Sequence, residues 1–403
     1  MGKDGLEITL NIVKMLVIFL VMVQLVPVLV WLERRVSAFM QNRFGPNRVG
    51  PLGLIQLLAD AVKFLFKEPF FPEKGMAVMY YGAPIMALIP GALALAAIPL
   101  GTPFHLEEAD WNLFGFIPLG HHPAYDFILQ GYDFGVGIVI VLGVSSLGAY
   151  SLLMAGWGSS NKYSLLGALR ASAQMVSYEL ALGLSLVGIL MVFNTFSFYD
   201  IVAQQNPANP LTFNFLGTVH TMPWWIPNWG IFYNPLGALI FFCASFAETN
   251  RLPFDLPEAE GELVAGFHTE YGGFALLMFY IGEYGHMMVA SALMATFYFG
   301  GYTIPYVSNE AVATFVSNTH HFLGAFDLSI HSNWAAFVTS LCFFVSMLVK
   351  ILFFLLIFIW VRWTLPRFRY DQLMDLGWKT MLPWALFNTC LTAVWLAISH
   401  KPV

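Results

Sequence analysis

The sequence predicts an all-α polytopic membrane protein with eight transmembrane helices, an interfacial amphipathic helix and an acidic inner loop. Three observations lead there. Of 403 residues, 58% are apolar and 10% charged, against roughly 25% charged in a soluble domain, so the polar side chains needed to cover a water-facing surface are missing. Eight apolar stretches reach the roughly 20 residues needed to cross a ~30 Å hydrocarbon layer. Lysine and arginine are confined almost entirely to alternate loops, as the positive-inside rule requires. The same composition excludes a disordered chain, and a net charge of −6 with no basic patch excludes a nucleic-acid binder.

The spans are expected at about 10–32, 76–100, 134–157, 171–194, 230–247, 272–299, 334–360 and 380–399, within one membrane domain covering 1–403. Backbone groups must be paired inside lipid, so each is read as a helix; no barrel-like alternation is present. Pro27, Pro84 and Pro90 interrupt spans and are tolerable as kinks within a bundle. Trp31, Trp157, Trp334 and Trp360 fall near span ends, where aromatic belts form. The first run is too long for a signal-peptide core and no small-residue cleavage site follows it, so it is expected to remain as a helix.

Loop charges set the expected orientation. Segments 33–75, 158–170, 248–271 and 361–379 hold 14 of the 18 lysines and arginines, whereas the opposite set holds only Lys3 and Lys401. The first group faces inward and both termini face outward on this reading. Within the first inner loop, residues 52–66 place Gln56, Asp60 and Lys63, with Lys67 just beyond, on one helical stripe among apolar residues, the pattern of a helix lying in the interface.

Cys243, Cys342 and Cys390 stand singly in apolar runs, and no pattern for an iron–sulfur cluster, zinc or c-type haem exists. Nor is there a GxGxxG or P-loop signature. No flavin, iron–sulfur cluster or metal is expected on this chain. The outer-loop histidines His121, His122, His320 and His321 lack ligand spacing.

The acids carry the chemistry. Glu179 lies nine residues past Arg170 and Glu283 eleven past Gly272, which is about 14 and 16 Å along their helices. A charged acid at such depth costs on the order of 3 kcal/mol, so acids there face a bundle interior or water and mark proton or ion paths; the bland alternative is a protonated acid bonded to a neighbouring helix. The third inner loop, 248–271, adds Glu248, Asp255, Glu258, Glu260, Glu262 and Glu270 against Arg251 alone. On a short helix Asp255, Glu258 and Glu262 share a face, and crowded carboxylates share and exchange protons as a group. A solvated acidic loop is the competing reading, but it leaves the interleaved Pro, Phe, Leu and Gly unexplained.

These stretches resemble a known family. ERRVSAFMQNRFGPNRVGPLGLIQLLADAVKFLFKEP (33–69), SYE (177–179), ETNRLPFDLPEAEGELVAGFHTEY (248–271), GEYG (282–285) and LPRFRYDQLM (365–374) look like the membrane subunit of respiratory complex I that borders the quinone cavity, the H subunit in bacteria and NADH dehydrogenase subunit 1 in mitochondria. The likeness covers the inner loops and most helices. It implies a subunit of proton-pumping NADH:quinone oxidoreductase with ubiquinone or menaquinone as substrate, entering laterally. Arg34, Phe39, Gln41, Arg43, Asp60, Ala61, Lys63, Phe279, Arg367 and Arg369 match positions on or beside that quinone path. Glu179, Glu248, Asp255, Glu258, Glu260, Glu262, Glu270 and Glu283 match the acidic path joining quinone chemistry to proton translocation. No catalytic residue is expected on this chain alone, because the headgroup's proton donors in the family lie on a neighbouring hydrophilic subunit. The implied partners are hydrophilic quinone-site and iron–sulfur subunits on the inner face, and antiporter-like and small membrane subunits laterally. The implied location is a bacterial inner membrane. The chain departs from the family in its long outer loops (101–133, 200–229, 300–333) and at His286, where Asn is usual. A homologous subunit of membrane-bound hydrogenases or related ion-pumping dehydrogenases shares the ETNR–PFDLPE-type loop and stays open as an alternative. An independent ion-coupled transporter calls for an inverted repeat, and the sequence has none.

Overall fold

The computed structural model describes residues 3–399 apart from 107–108, 114–116, 123–124, 210–211, 216–217, 222–225, 256–263 and 325–331. The chain opens with α1 (Lys3–Met40), followed by α2 (Gln56–Phe66) and α3 (Ala77–Ala97). Next come α4 (Gly137–Ser145) and α5 (Leu147–Gly158), joined at Ser146, and α6 (Lys162–Phe193). Short helices α7 (Phe198–Gln204) and α8 (Gly230–Tyr233) precede α9 (Pro235–Glu248). A 3-10 turn at Gly266–Glu270 leads into α10 (Gly273–Tyr298), then α11 (Asn309–Gly324) and α12 (Ser332–Thr364). The final rod is α13 (Tyr370–Asp375), running through a π turn at Leu376–Met381 into α14 (Leu382–Ser399).

Among the described residues, six helices are long and apolar enough to cross a bilayer: Thr9–Met40, Ala77–Ala97, Gly137–Gly158, Lys162–Phe193, Ala336–Thr364 and Tyr370–Ile398. They coincide with six of the eight expected spans. The other two are helical but different in kind. α9 has 14 residues, about 21 Å of rise. α10 has 26 residues, but Gly282, Glu283, Tyr284, Gly285 and His286 dilute its apolarity. Its position accounts for that composition: most of α10 is buried against α3, α12, α1, α2 and α9, so it has little lipid to face.

The membrane body is helical, and three small antiparallel pairs lie in its connections. β1 (Phe104–Leu106) pairs with β4 (Tyr125–Phe127), and β2 (Ala109–Leu113) with β3 (Ile117–His122). β5 (Thr212–Phe215) pairs with β6 (Thr218–Thr221). These fall in two of the long outer loops for which the sequence predicts no regular structure.

Local chemistry sets the helix ends. Asn161 caps α6 by accepting from the Tyr163 amide, and Asn194 closes it in the left-handed region at φ 50°. Asn234 caps α9 by accepting from the Gly237 amide at 2.9 Å, with Pro235 in the first turn, where its missing N–H costs nothing. The core gathers Met22, Phe241, Phe297, Tyr298 and Phe343, while Leu16, Leu20, Val349 and Phe353 are exposed, as in a bundle whose outer surface meets lipid or neighbouring helices. At Gly282 a Cβ would stand 2.6 Å from the Ala87 carbonyl oxygen, so the missing side chain is what lets α10 and α3 touch. Buried polar groups find partners across helices: Gln174 Nε2 donates to the carbonyls of Ala247 and Phe254 at 2.8 Å. Tyr178 donates to Leu373 O at 2.7 Å.

Candidate functional site: two cavities joined by a buried charge cluster

The ERR motif sits on α1 near its inner-loop end, and its first two members point to different partners. Arg34 reaches α2 and pairs with Asp60 at 2.6 Å; Asp60 also accepts from Gln56 Nε2 at 3.0 Å. Thus part of the polar stripe of α2 turns toward α1, while Lys63 stays exposed. Glu33 turns into the protein and is 6% exposed. It accepts from Tyr284 Oη at 2.6 Å, pairs with Arg362 of α12, and lies 3.5 Å from Arg251 Nη1.

Arg251 is the hinge of the arrangement. It is 4% exposed, its Nε stands 2.7 Å from Glu283 Oε1, and its guanidinium lies 4.1 Å from the Tyr284 ring centroid. Burial opposes its charge, but Glu283, Tyr284 and Glu33 outweigh burial and hold its pKa above the usual arginine value. Arg251 therefore stays cationic and binds two carboxylates belonging to different helices.

Each carboxylate lines a different cavity. A cavity of about 510 Å³ lies between α1, α2, α10 and α12, walled by Val26, Pro27, Glu33, Arg34, Asp60, Ala61, Phe64, Tyr280, Tyr284 and Arg362 among others. A second, of about 60 Å³, is lined by Glu248, His268, Glu283 and His286 with Ala87, Gly148, Ser151, Met175 and Phe279. Glu33 belongs to the first, Glu283 to the second, and Arg251 stands between them. Glu248 engages Ser145 and feels the charge of Glu179, which extends the acidic chain into α6. Arg367 Nη2 pairs with buried Asp255 at 2.9 Å, and Asn161 Nδ2 donates to Glu270 at 2.6 Å.

Among the residues matched to a quinone path, Arg34, Asp60 and Ala61 line the larger cavity. Phe39, Gln41 and Arg43 lie beyond it at the exposed end of α1, where Arg43 Nε donates to Gln41 at 2.7 Å. Phe279 turns the other way: it packs on Phe267 and Tyr271 and lines the smaller cavity, while Tyr280 of the same helix faces the larger one. Arg369 is exposed at the start of α13. Among the acids, Glu248 and Glu283 meet at one cavity with Glu179 beside them, and Asp255 and Glu270 lie at separate ion-pair and hydrogen-bond sites. Glu258, Glu260 and Glu262, with the expected short helix they would form, lie outside the described residues.

Sequence reasoning assigned no role to Glu33, Tyr284 or Arg362, and singled out His286 only as a departure from the family pattern. The signal that would have found Glu33 and Arg362 is the isolated Arg251 amid six acids, since a buried arginine needs several acceptors. The cluster balances Glu33 and Glu283 against Arg251 and Arg362. At about 3.5 Å and an effective dielectric near 20, such a pair interacts by about 5 kcal/mol. No group of metal-ligating side chains exists among the described residues.

Comparison with known proteins agrees with the motifs. A family model described as NADH dehydrogenase matches residues 13–393. The H subunit of the NADH-quinone oxidoreductase of Bdellovibrio bacteriovorus is 61% identical over 393 residues, 98% of this chain and 97% of its own. A corresponding H subunit of Cytophaga hutchinsonii is 41% identical, covering 89% of each chain, and that of Leptospira biflexa is 40% identical, covering 95% of this chain and 94% of its own. With near full-length matches of this kind, the chain belongs to the family of NADH-quinone oxidoreductase H subunits, membrane components of respiratory complex I.

Proposed function

We propose that the larger cavity is the lateral entry path for quinone and that the smaller cavity begins the proton path driven by quinone reduction. The single observation that carries this reading is the buried Arg251 bridge, which holds Glu33 of one cavity and Glu283 of the other. The larger cavity has the character a quinone needs. Its walls are mostly apolar, and Arg34, Asp60, Glu33 and Arg362 supply polar groups at one end. Electrons arrive from partner subunits; the residues of this chain admit the substrate and register its charge. When reduction changes the charge near Glu33, Arg251 redistributes between its two carboxylates. Glu283 then binds or releases a proton toward Glu248 and Glu179. Glu258, Glu260, Glu262, Asp255 and Glu270 supply protons from the inner face.

On this reading α9 and α10 complete eight crossings, α2 lies in the inner interface, and both termini face outward in a bacterial inner membrane. The basic inner loops meet the hydrophilic quinone-site and iron–sulfur subunits, and exposed helix faces meet the antiporter-like and small membrane subunits. Both ubiquinone and menaquinone fit this chemistry.

The test is bulk in the entry wall. Ala61 lines the cavity from α2, and added atoms in a packed wall cost about 1–3 kcal/mol, so Ala61→Thr should lower quinone reductase activity by roughly 5–150-fold. Ferricyanide reduction by the same assembled complex should be unchanged. Equal loss of both activities would remove the cavity from the quinone path.

A further inference from the structure

The smaller cavity contains a titratable group outside the acidic path proposed above. His286 lies three residues beyond Glu283 on α10, about 4.5 Å further along the axis, and both side chains line the same space. Its Nε2 stands against Gly148 of α5, where a Cβ would come within 3.5 Å of it. Among the described residues no protein group hydrogen-bonds the imidazole, although the buried hydroxyls of Tyr178 and Tyr284 are partnered. The imidazole shares its cavity with the carboxylates of Glu248 and Glu283. A space of about 60 Å³ is room for a few waters.

We propose that His286 is a proton carrier between Glu283 and Glu248, working through cavity water. One ring nitrogen takes a proton from a protonated water or carboxylic acid on the Glu283 side. The other nitrogen releases its proton toward Glu248, so the ring begins and ends neutral and the transfer adds no net charge to the cavity. The groups facing it from each packed element fit that role. Glu248 comes from α9 and Glu283 from α10, with Arg251 behind it; His268 comes from the 3-10 turn. Glu179 stands next to Glu248 from α6; α5 presents Ser151 and Gly148, and α3 presents Ala87, neither adding a charge. An imidazole has two ring nitrogens, one to take up a proton and one to give one up, and here it lines the same cavity as two acids on separate helices.

The inference rests on the proton path proposed above, and the experiment separates the two. His286→Asn, which installs the residue usual in the family, and His286→Gln retain polarity and fit the space but cannot accept and release a proton. The carrier role tested is therefore this chain's own addition to the path. Intact complex carrying each would be sealed in vesicles, and proton uptake measured across about pH 5–8, normalised to ferricyanide reductase activity. Glu283→Gln serves as the reference for the path itself. The expected result is a fall in uptake of about tenfold in both amide variants, somewhat below what positioned proton-transfer groups usually contribute. The residual uptake should lose the parent's pH profile, a change that a packing role would not produce. Uptake and pH profile equal to the parent, with Glu283→Gln still defective, would overturn the role of His286 and leave the path standing. Parental uptake in Glu283→Gln as well would remove the path beneath it. Failure of both amide variants to assemble would mark the imidazole as a packing element, which also overturns the proposal.

Discussion

Replacing Glu33 by Gln is the perturbation that bears most on the link between the cavities. The amide keeps the shape of the side chain and can still accept from Tyr284 Oη, but it removes one of the two carboxylates held by Arg251. At 3.5 Å the lost attraction is about 5 kcal/mol for an effective dielectric near 20. Arg362 loses its carboxylate partner in the same step. Removing one member of a buried ion pair typically costs about 3–5 kcal/mol of stability. Here Arg251 retains Glu283 at 2.7 Å, which places the cost at the lower end of that range. The complex should therefore assemble, at a somewhat reduced yield. The functional loss should be larger, because Arg251 then binds Glu283 alone and no longer responds to the quinone cavity. The assay is proton uptake into sealed vesicles per NADH oxidised with quinone as acceptor. Uptake per NADH should fall by at least about tenfold, the equivalent of roughly 1.4 kcal/mol. Unchanged uptake per NADH in assembled Glu33→Gln complex would refute the idea that Arg251 transmits charge between the cavities.

Two further outcomes concern stability and sidedness. Lys350 Nζ donates to the carbonyls of Phe299, Gly301 and Thr303 at 2.8, 2.7 and 2.7 Å, closing the end of α10 where Gly300 and Gly301 turn with positive φ. Lys350→Met leaves the Phe299 and Gly301 carbonyls without a donor at about 1–3 kcal/mol each, while Thr303 O keeps Ser346 Oγ at 3.3 Å, so assembled complex and its melting temperature should drop; an unchanged melting temperature would contradict this. For sidedness, a cysteine at Asn47 should be protected from an impermeant outside reagent and one at Asn209 labelled, following the loop charge asymmetry; the opposite pattern would invert the proposed orientation.

Much of the fold was legible because membrane spans announce themselves by length and apolarity. The exceptions have a physical reason. α10 carries Glu283 and His286 in its middle, and its apolarity is low because protein surrounds it. The hairpins in the outer loops were illegible, since short alternations there compete with turn-rich sequence. At the site, local pairings were readable: Arg34, Asp60 and Ala61 fall within one motif of 37 residues, and the structure gathers them at one cavity. Glu33 belongs to the same motif, but its partner Arg251 is 218 positions away, which no helical period can reveal. The direction in which Phe279 and Tyr280 face depends on a step of about 100° per residue, so a one-residue ambiguity exchanges the two cavities. The packing of α10 on α3, set by the contact of Gly282 with Ala87, resolves it.

Whether acids deep in the bundle carry protons set moving by quinone chemistry is tested most directly by Glu179→Gln and Glu283→Gln. Each amide preserves shape and hydrogen-bonding capacity while removing the exchangeable proton. The measurement is quinone-linked proton uptake into sealed vesicles, normalised to assembled complex and compared with ferricyanide reduction. Both variants should pump far less than the parent, and less than Glu260→Gln, whose neighbouring carboxylates can share its load. Full pumping in both would contradict the proton path and leave Glu179 and Glu283 as hydrogen-bonded struts between helices.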